Sequence, residues 1–143
     1  MTTQYWISGT SGDWSTAADW VSGVVPSSTD DVVISSTSNG MTVNGTAVAD
    51  LLTLDASILT LGGTLTLGTS LTVNDGAQFR LLGGTLSAQS ISSNNSGSLS
   101  GYGTVSGTVS GAGRYNCGWR HLEGSRFAGN RSRQFVYWFR GYP

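Results

Sequence analysis

Residues 57–80 place a pair of apolar side chains two positions apart in each of four hexads built on Leu-Thr-Leu or a near variant. They read Ser-Ile-Leu-Thr-Leu-Gly, Gly-Thr-Leu-Thr-Leu-Gly, Thr-Ser-Leu-Thr-Val-Asn and Asp-Gly-Ala-Gln-Phe-Arg. The apolar positions are 59/61, 65/67, 71/73 and 77/79, with Thr60, Thr66, Thr72 and Gln78 between them. Alternation of period two means a strand with one buried and one wet face. Each strand spans only about three to five residues before Gly, Asn or Asp ends it. A longer repeat is superimposed: Leu-Gly-Gly-Thr-Leu at 61–65 returns at 82–86, 21 residues further on.

A period of that length holding about three short strands is what one coil of a β-solenoid needs. One coil cannot bury its own Leu/Val face, so coils must stack, each strand pairing with its equivalent in the next layer. Glycine at the corners supplies positive φ and permits close approach. The rival is an antiparallel sandwich, which favours longer strands and turns every 8–12 residues or so. The expected fold is therefore all-β, a right-handed parallel β-helix (β-solenoid) fragment with an N-terminal Trp-rich capping segment.

Composition narrows the chemistry. Gly, Ser and Thr supply 60 of the 143 residues, and charged residues only 10%. Lysine is absent, which removes Schiff-base chemistry and any phosphate loop ending in Gly-Lys-Ser/Thr. A single Cys, Cys117, forms no internal disulfide and completes no Cys/His zinc spacing. No apolar run approaches the roughly 18 residues of a membrane span. Nor does Met1-Thr2-Thr3-Gln4-Tyr5-Trp6 offer the basic and apolar regions of a classical signal peptide.

Three zones follow. Residues 1–47 form an opening and capping segment with Trp6, Trp14 and Trp20, punctuated by Gly23 and Pro26. Within it Val32-Val33-Ile34 is strand-like, and residues 15–20 suit a single helical turn. Residues 48–113 are the solenoid coils. Near their end, Ser-Gly-Tyr-Gly-Thr-Val-Ser-Gly fits either a narrow further coil or a flexible run. Residues 114–143 carry six Arg and eight aromatics, against one Arg and six aromatics in residues 1–113.

That tail has neither alternation nor helical periodicity. Its basic, aromatic composition suits a nucleic-acid or membrane surface, but a shifted reading frame explains it better. Reading the codons allowed for residues 114–123 one base later permits Thr-Ile-Ala-Ala-Gly-Gly-Thr-Leu, which restores the Gly-Gly-Thr-Leu of 62–65 and 83–86. On that reading the tail is out of frame and disordered, Cys117 and His121 have no selected role, and nucleic acid is not a partner. The solenoid would then end uncapped, with an open edge prone to self-association.

The opening Gly12-Asp13-Trp14-Ser15-Thr16-Ala17-Ala18-Asp19-Trp20, then Gly23, Pro26 and Asp30-Asp31-Val32-Val33-Ile34, resembles the start of bacterial β-strand-repeat proteins. These are large secreted or surface proteins similar to autotransporter passengers and filamentous-haemagglutinin-type adhesins. The likeness covers about residues 5–113 and includes their β-helical stalks. It implies an extracellular or cell-surface role in adhesion or scaffolding, with host or matrix glycans or other surface proteins as partners.

Candidate sites are few. Trp14 and Trp20 have faces that suit sugar stacking, making a carbohydrate-binding module the alternative; the plainer role is to cover the solenoid end. Asp30 and Asp31 are potential Ca²⁺ ligands, but a polar turn before a strand accounts for them, and no metal or other cofactor is expected. A polysaccharide-active β-helix enzyme needs grouped carboxylates or a placed base. The coils offer only Asp50, Asp55, Asp75 and Arg80, of which Asp75 and Arg80 suggest a surface ion pair. No catalytic residues are expected. Thr64/Thr66 over Thr85/Ser87 gives a short hydroxyl ladder of the kind that meets ice, equally explained by strand propensity.

Overall fold

The alternating leucines become the lining of a parallel β-solenoid. The computed structural model describes residues 1–7, 9–35, 40–117 and 135–138. Its strands are β1 (Thr3–Tyr5), β2 (Gly12–Asp13), β3 (Asp31–Ile34), β4 (Met41–Val43), β5 (Thr46–Leu54), β6 (Ile58–Leu61), β7 (Thr64–Val73), β8 (Gln78–Ser93), β9 (Ser98–Ser110), β10 (Arg114–Cys117) and β11 (Phe135–Trp138). The only described helix is a 3-10 turn at Ala17–Asp19, inside the stretch expected to make one turn.

Three ladders run along the molecule. The first joins β1, β3 and the second halves of β5 and β7, then the ends of β8 and β9. The second joins β2, β4, β6 and the first residues of β8 and β9, then β10. The third joins the first half of β5 to the first half of β7, then the middle parts of β8 and β9. Every one of these pairings is parallel, so each strand bonds to its copy one coil away. β5 and β7 serve two ladders each, and β8 and β9 all three, because they turn corners without losing their main-chain bonds.

The 21-residue repeat is a physical register: Thr64 pairs with Thr85, and Leu65 with Leu86. Its period varies elsewhere. Ala47 to Leu65 is 18 residues and Phe79 to Leu99 is 20. Register shifts between Ala49 and Leu51, and between Thr66 and Ser70, take up the difference. Bulges at such points absorb an extra residue while the inward set stays inward.

One apolar interior fills the space between the ladders. Leu59, Leu61, Leu65, Leu71, Val73, Ala77, Phe79 and Leu81 are fully buried, as the alternation requires. Each fully buried Leu or Phe contributes about 1.5–3 kcal/mol over its exposed state. The stretch left open between coil and flexible run is a coil: β9 pairs with β8 from Gln78↔Ser98 to Ser92↔Ser110. Here small side chains suffice because the layers are close. A Cβ on Gly101 would stand 2.0 Å from the Leu81 carbonyl oxygen, and one on Gly107 2.1 Å from that of Ala88.

Two boundaries differ from the sequence expectation. The ladders begin at Thr3, well inside the opening segment, since β1 and β2 pair with β3 and β4. At the other end, part of the tail expected to be disordered is strand. Arg114–Cys117 pairs in parallel with β9, and Phe135–Trp138 pairs with it antiparallel. An exposed ladder edge accepts any strand of compatible length, whatever its composition. His121 and the rest of the tail lie outside the described residues.

Candidate functional site

The opening segment closes one end of the interior. Trp6, Trp14 and Trp20 are 3%, 2% and 1% exposed, and Pro26 of the same segment is also buried. Trp20 is the hub: its ring centroid lies 5.0 Å from those of both Trp6 and Trp14, in edge-to-face geometry. Its Nε1 donates to the Trp14 carbonyl at 2.9 Å, and Trp6 Nε1 donates to the Thr10 carbonyl at 3.3 Å. Edge-to-face pairs of this kind add about 0.5–1.5 kcal/mol each to simple burial.

This placement corrects the sugar-stacking role offered to Trp14 and Trp20. A sugar needs an open ring face, and both rings are packed inside the protein. Covering the end of the coil stack buries more apolar area than leaving the rings in water, so the fold takes them.

Two aspartates fasten the cap. Asp13 Oδ1 accepts the Ser15 amide at 3.0 Å and the Ser15 hydroxyl at 2.6 Å. Its Oδ2 accepts the Asn44 amide at 3.2 Å and Asn44 Nδ2 at 2.9 Å, joining the opening segment to the coil after β4. Burial pushes the Asp13 carboxyl up, but the hydrogen bonds from Ser15 and Asn44 outweigh it and hold the group below the ordinary value. Asp30 accepts the Ser27 amide at 2.9 Å and hydroxyl at 2.7 Å, and the Thr2 amide at 3.2 Å. Those bonds lower its pKa as well. Asp30 thus makes the polar turn expected before β3, and Asp31 begins that strand.

Asp75 and Arg80 do not pair. Asp75 Oδ1 accepts the Ser96 amide at 3.1 Å across one coil, while Arg80 Nη2 donates to Gln78 Oε1 at 2.7 Å. Arg80 points outward from β8, and Asp75 belongs to the preceding corner, where stacked turns share their polar groups. Asn94 Nδ2 likewise donates to Asn74 Oδ1 at 2.7 Å. Sequence reasoning missed the Asp75–Ser96 and Asn74–Asn94 contacts because each joins residues about one coil apart.

Comparison with protein-family models, curated proteins and solved structures gives no match. The chemistry of the surface therefore carries the functional reading. Among the described residues no group of three or more His, Cys, Asp or Glu side chains is placed to hold a metal ion. No described helix is long and apolar enough to cross a membrane. Outward positions are mostly Ser and Thr. The hydroxyl ladder is longer than its sequence signal, with Thr46, Thr64, Thr85 and Thr104 aligned over four successive coils. Its neighbouring column is Val48, Thr66, Ser87 and Ser106. Ser92 and Thr72 align in the same manner on the first ladder.

Proposed function

We propose that this chain is a structural, non-catalytic repeat element of a bacterial cell-surface or secreted protein, serving as a rigid stalk or adhesive surface. The observation that supports this reading is the continuous in-register stacking of coils around one interior, sealed at its N-terminal end by three tryptophans. Such stacking makes a stiff, elongated body whose outward residues change without disturbing the interior. The resemblance of the opening segment to β-strand-repeat surface proteins points the same way.

Antibody raised against the purified chain provides the test in its native host. Labelling of intact cells, abolished by external protease, is the expected result. Retention of the protein in the cytosolic fraction overturns the surface assignment. Release of reducing ends or unsaturated products from a polysaccharide by the purified chain would overturn the non-catalytic one.

A further inference from the structure

We propose that the second ladder, where β8 and β9 lie side by side, binds an acidic polysaccharide through Arg80, Leu82, Tyr102 and Arg114. The assignment rests on the adhesive reading above and names the ligand class and the place. Arg80 and Leu82 are successive outward residues of β8, separated by the buried Leu81. On β9, Ser100 is the register partner of Arg80, and Tyr102 that of Leu82. Arg114 of β10 pairs with Ser98 in the next layer, and its side chain is exposed. Layers about 4.8 Å apart and a two-residue rise of about 6.6 Å put the backbones of Arg80 and Tyr102 about 8 Å apart along the diagonal. The Arg80 guanidinium, bonded to Gln78, must swing toward Leu82 to share a ligand with Tyr102. The long Arg80 side chain can cover that separation, so one chain of sugar units can rest a ring on Tyr102 and present a carboxylate to the guanidinium.

The chemistry of this patch departs from the Ser/Thr surface around it. Leu82 is 53% exposed and Tyr102 48%, adjacent across the ladder. Tyr102 is held between Gly101 and Gly103, both at positive φ (107° and 153°). A Cβ on Gly103 would stand 2.3 Å from the Gly84 carbonyl oxygen, so the backbone on both sides of the ring is pressed onto the layer beneath. Gly83 adjoins the ring as well: a Cβ there would lie 3.5 Å from Tyr102 Cε2. The aromatic side chain is therefore mounted on a fixed backbone and half open to water. An aromatic ring beside an aliphatic side chain matches the C–H face of a sugar.

Charge selects which sugar. Arg80 and Arg114 are the only arginines among the described residues, and both lie on this ladder. Of the described aspartates, Asp13, Asp19, Asp30 and Asp31 belong to the opening segment, while Asp50, Asp55 and Asp75 lie in the coils, Asp75 at the corner before β8 where it accepts the Ser96 amide. A guanidinium offers a carboxylate a planar pair of donors, and Arg80 spends one nitrogen on Gln78. Uronic-acid polymers combine that carboxylate with the required ring face.

Calorimetric titration of the full chain with alginate oligomers tests the assignment, with dextran and polyphosphate as comparators. We expect alginate to bind, dextran not to, and affinity to fall about tenfold in both Arg80→Gln and Tyr102→Ala. Each variant must melt as the parent does, which their outward positions favour. Absence of alginate binding, or alginate affinity unchanged in Tyr102→Ala and matched by polyphosphate, overturns the proposal. Surface labelling of cells is independent of this result, so the stalk reading stands or falls separately.

Discussion

Leu65 pairs in parallel register with Leu86, one coil of 21 residues away, and neither side chain has any exposed surface. The contact couples adjacent layers, so a defect at one position propagates to its neighbours. Leu65→Ala should cost about 2–5 kcal/mol. Leu65→Asp buries a charge in the apolar interior between Ala47 and Leu86 and should unfold neighbouring coils together. Chemical denaturation followed by circular dichroism measures both; parental stability in Leu65→Asp would falsify the inward placement.

Ala56 is the only non-glycine described with positive φ, at 48°, and occupies the same corner as Gly76 one coil on, which has φ 79°. A left-handed conformation costs an L-residue roughly 1–2 kcal/mol, partly offset by glycine's greater freedom when unfolded. Ala56→Gly should therefore stabilise the protein by about 0.5–1 kcal/mol. Thermal melting decides the sign, and a lower midpoint would contradict the corner geometry.

Glycines at neighbouring corners are not equivalent. A Cβ on Gly63 would stand 2.0 Å from the Gly45 carbonyl oxygen, whereas one on Gly45 meets nothing within 4 Å. We expect Gly63→Ala to lose about 1–3 kcal/mol through overpacking, and Gly45→Ala to change stability by about 0.5 kcal/mol or less. Equal effects in the two variants would show that the layers are less tightly spaced.

The tryptophan cap should behave as a unit. Trp20→Ala removes both edge-to-face contacts and a buried hydrogen bond, at a cost of about 3–5 kcal/mol. The remaining indoles should shift their fluorescence to longer wavelength as water reaches them. Unshifted emission with full stability would mean that Trp20 is not the hub.

Acid should loosen the cap. Asp13 and Asp30 have folded pKa values below the ordinary 3.8, so their charged forms favour the folded state. That contribution is fully present above about pH 4 and disappears as pH falls through the lowered folded values. Double substitution Asp13→Asn, Asp30→Asn should flatten the dependence of stability on pH in this range. An undiminished acid transition in the double variant would place the sensitive carboxylates elsewhere.

Much of the architecture could be read in one dimension. Alternation at 59/61, 65/67, 71/73 and 77/79 named inward residues that are all buried, Leu67 being 4% exposed and the others 1% or less. The Gly-Gly-Thr-Leu repeat named the layer partners, since equivalent positions in stacked coils must carry equivalent side chains. Both signals are local or periodic, and a linear string preserves them. The fate of Trp14 and Trp20, the Asp13–Asn44 fastening and the grouping of Arg80, Leu82, Tyr102 and Arg114 are of another kind. Each depends on which residues of different layers come to lie side by side. From Thr46 to Cys117 the coil spacing runs from 16 residues, Ser98 to Arg114, to 21, Thr64 to Thr85, so bulges rather than counting set that alignment. The sequence determined that strands would stack around a leucine interior; only packing of the layers decided which outward side chains meet.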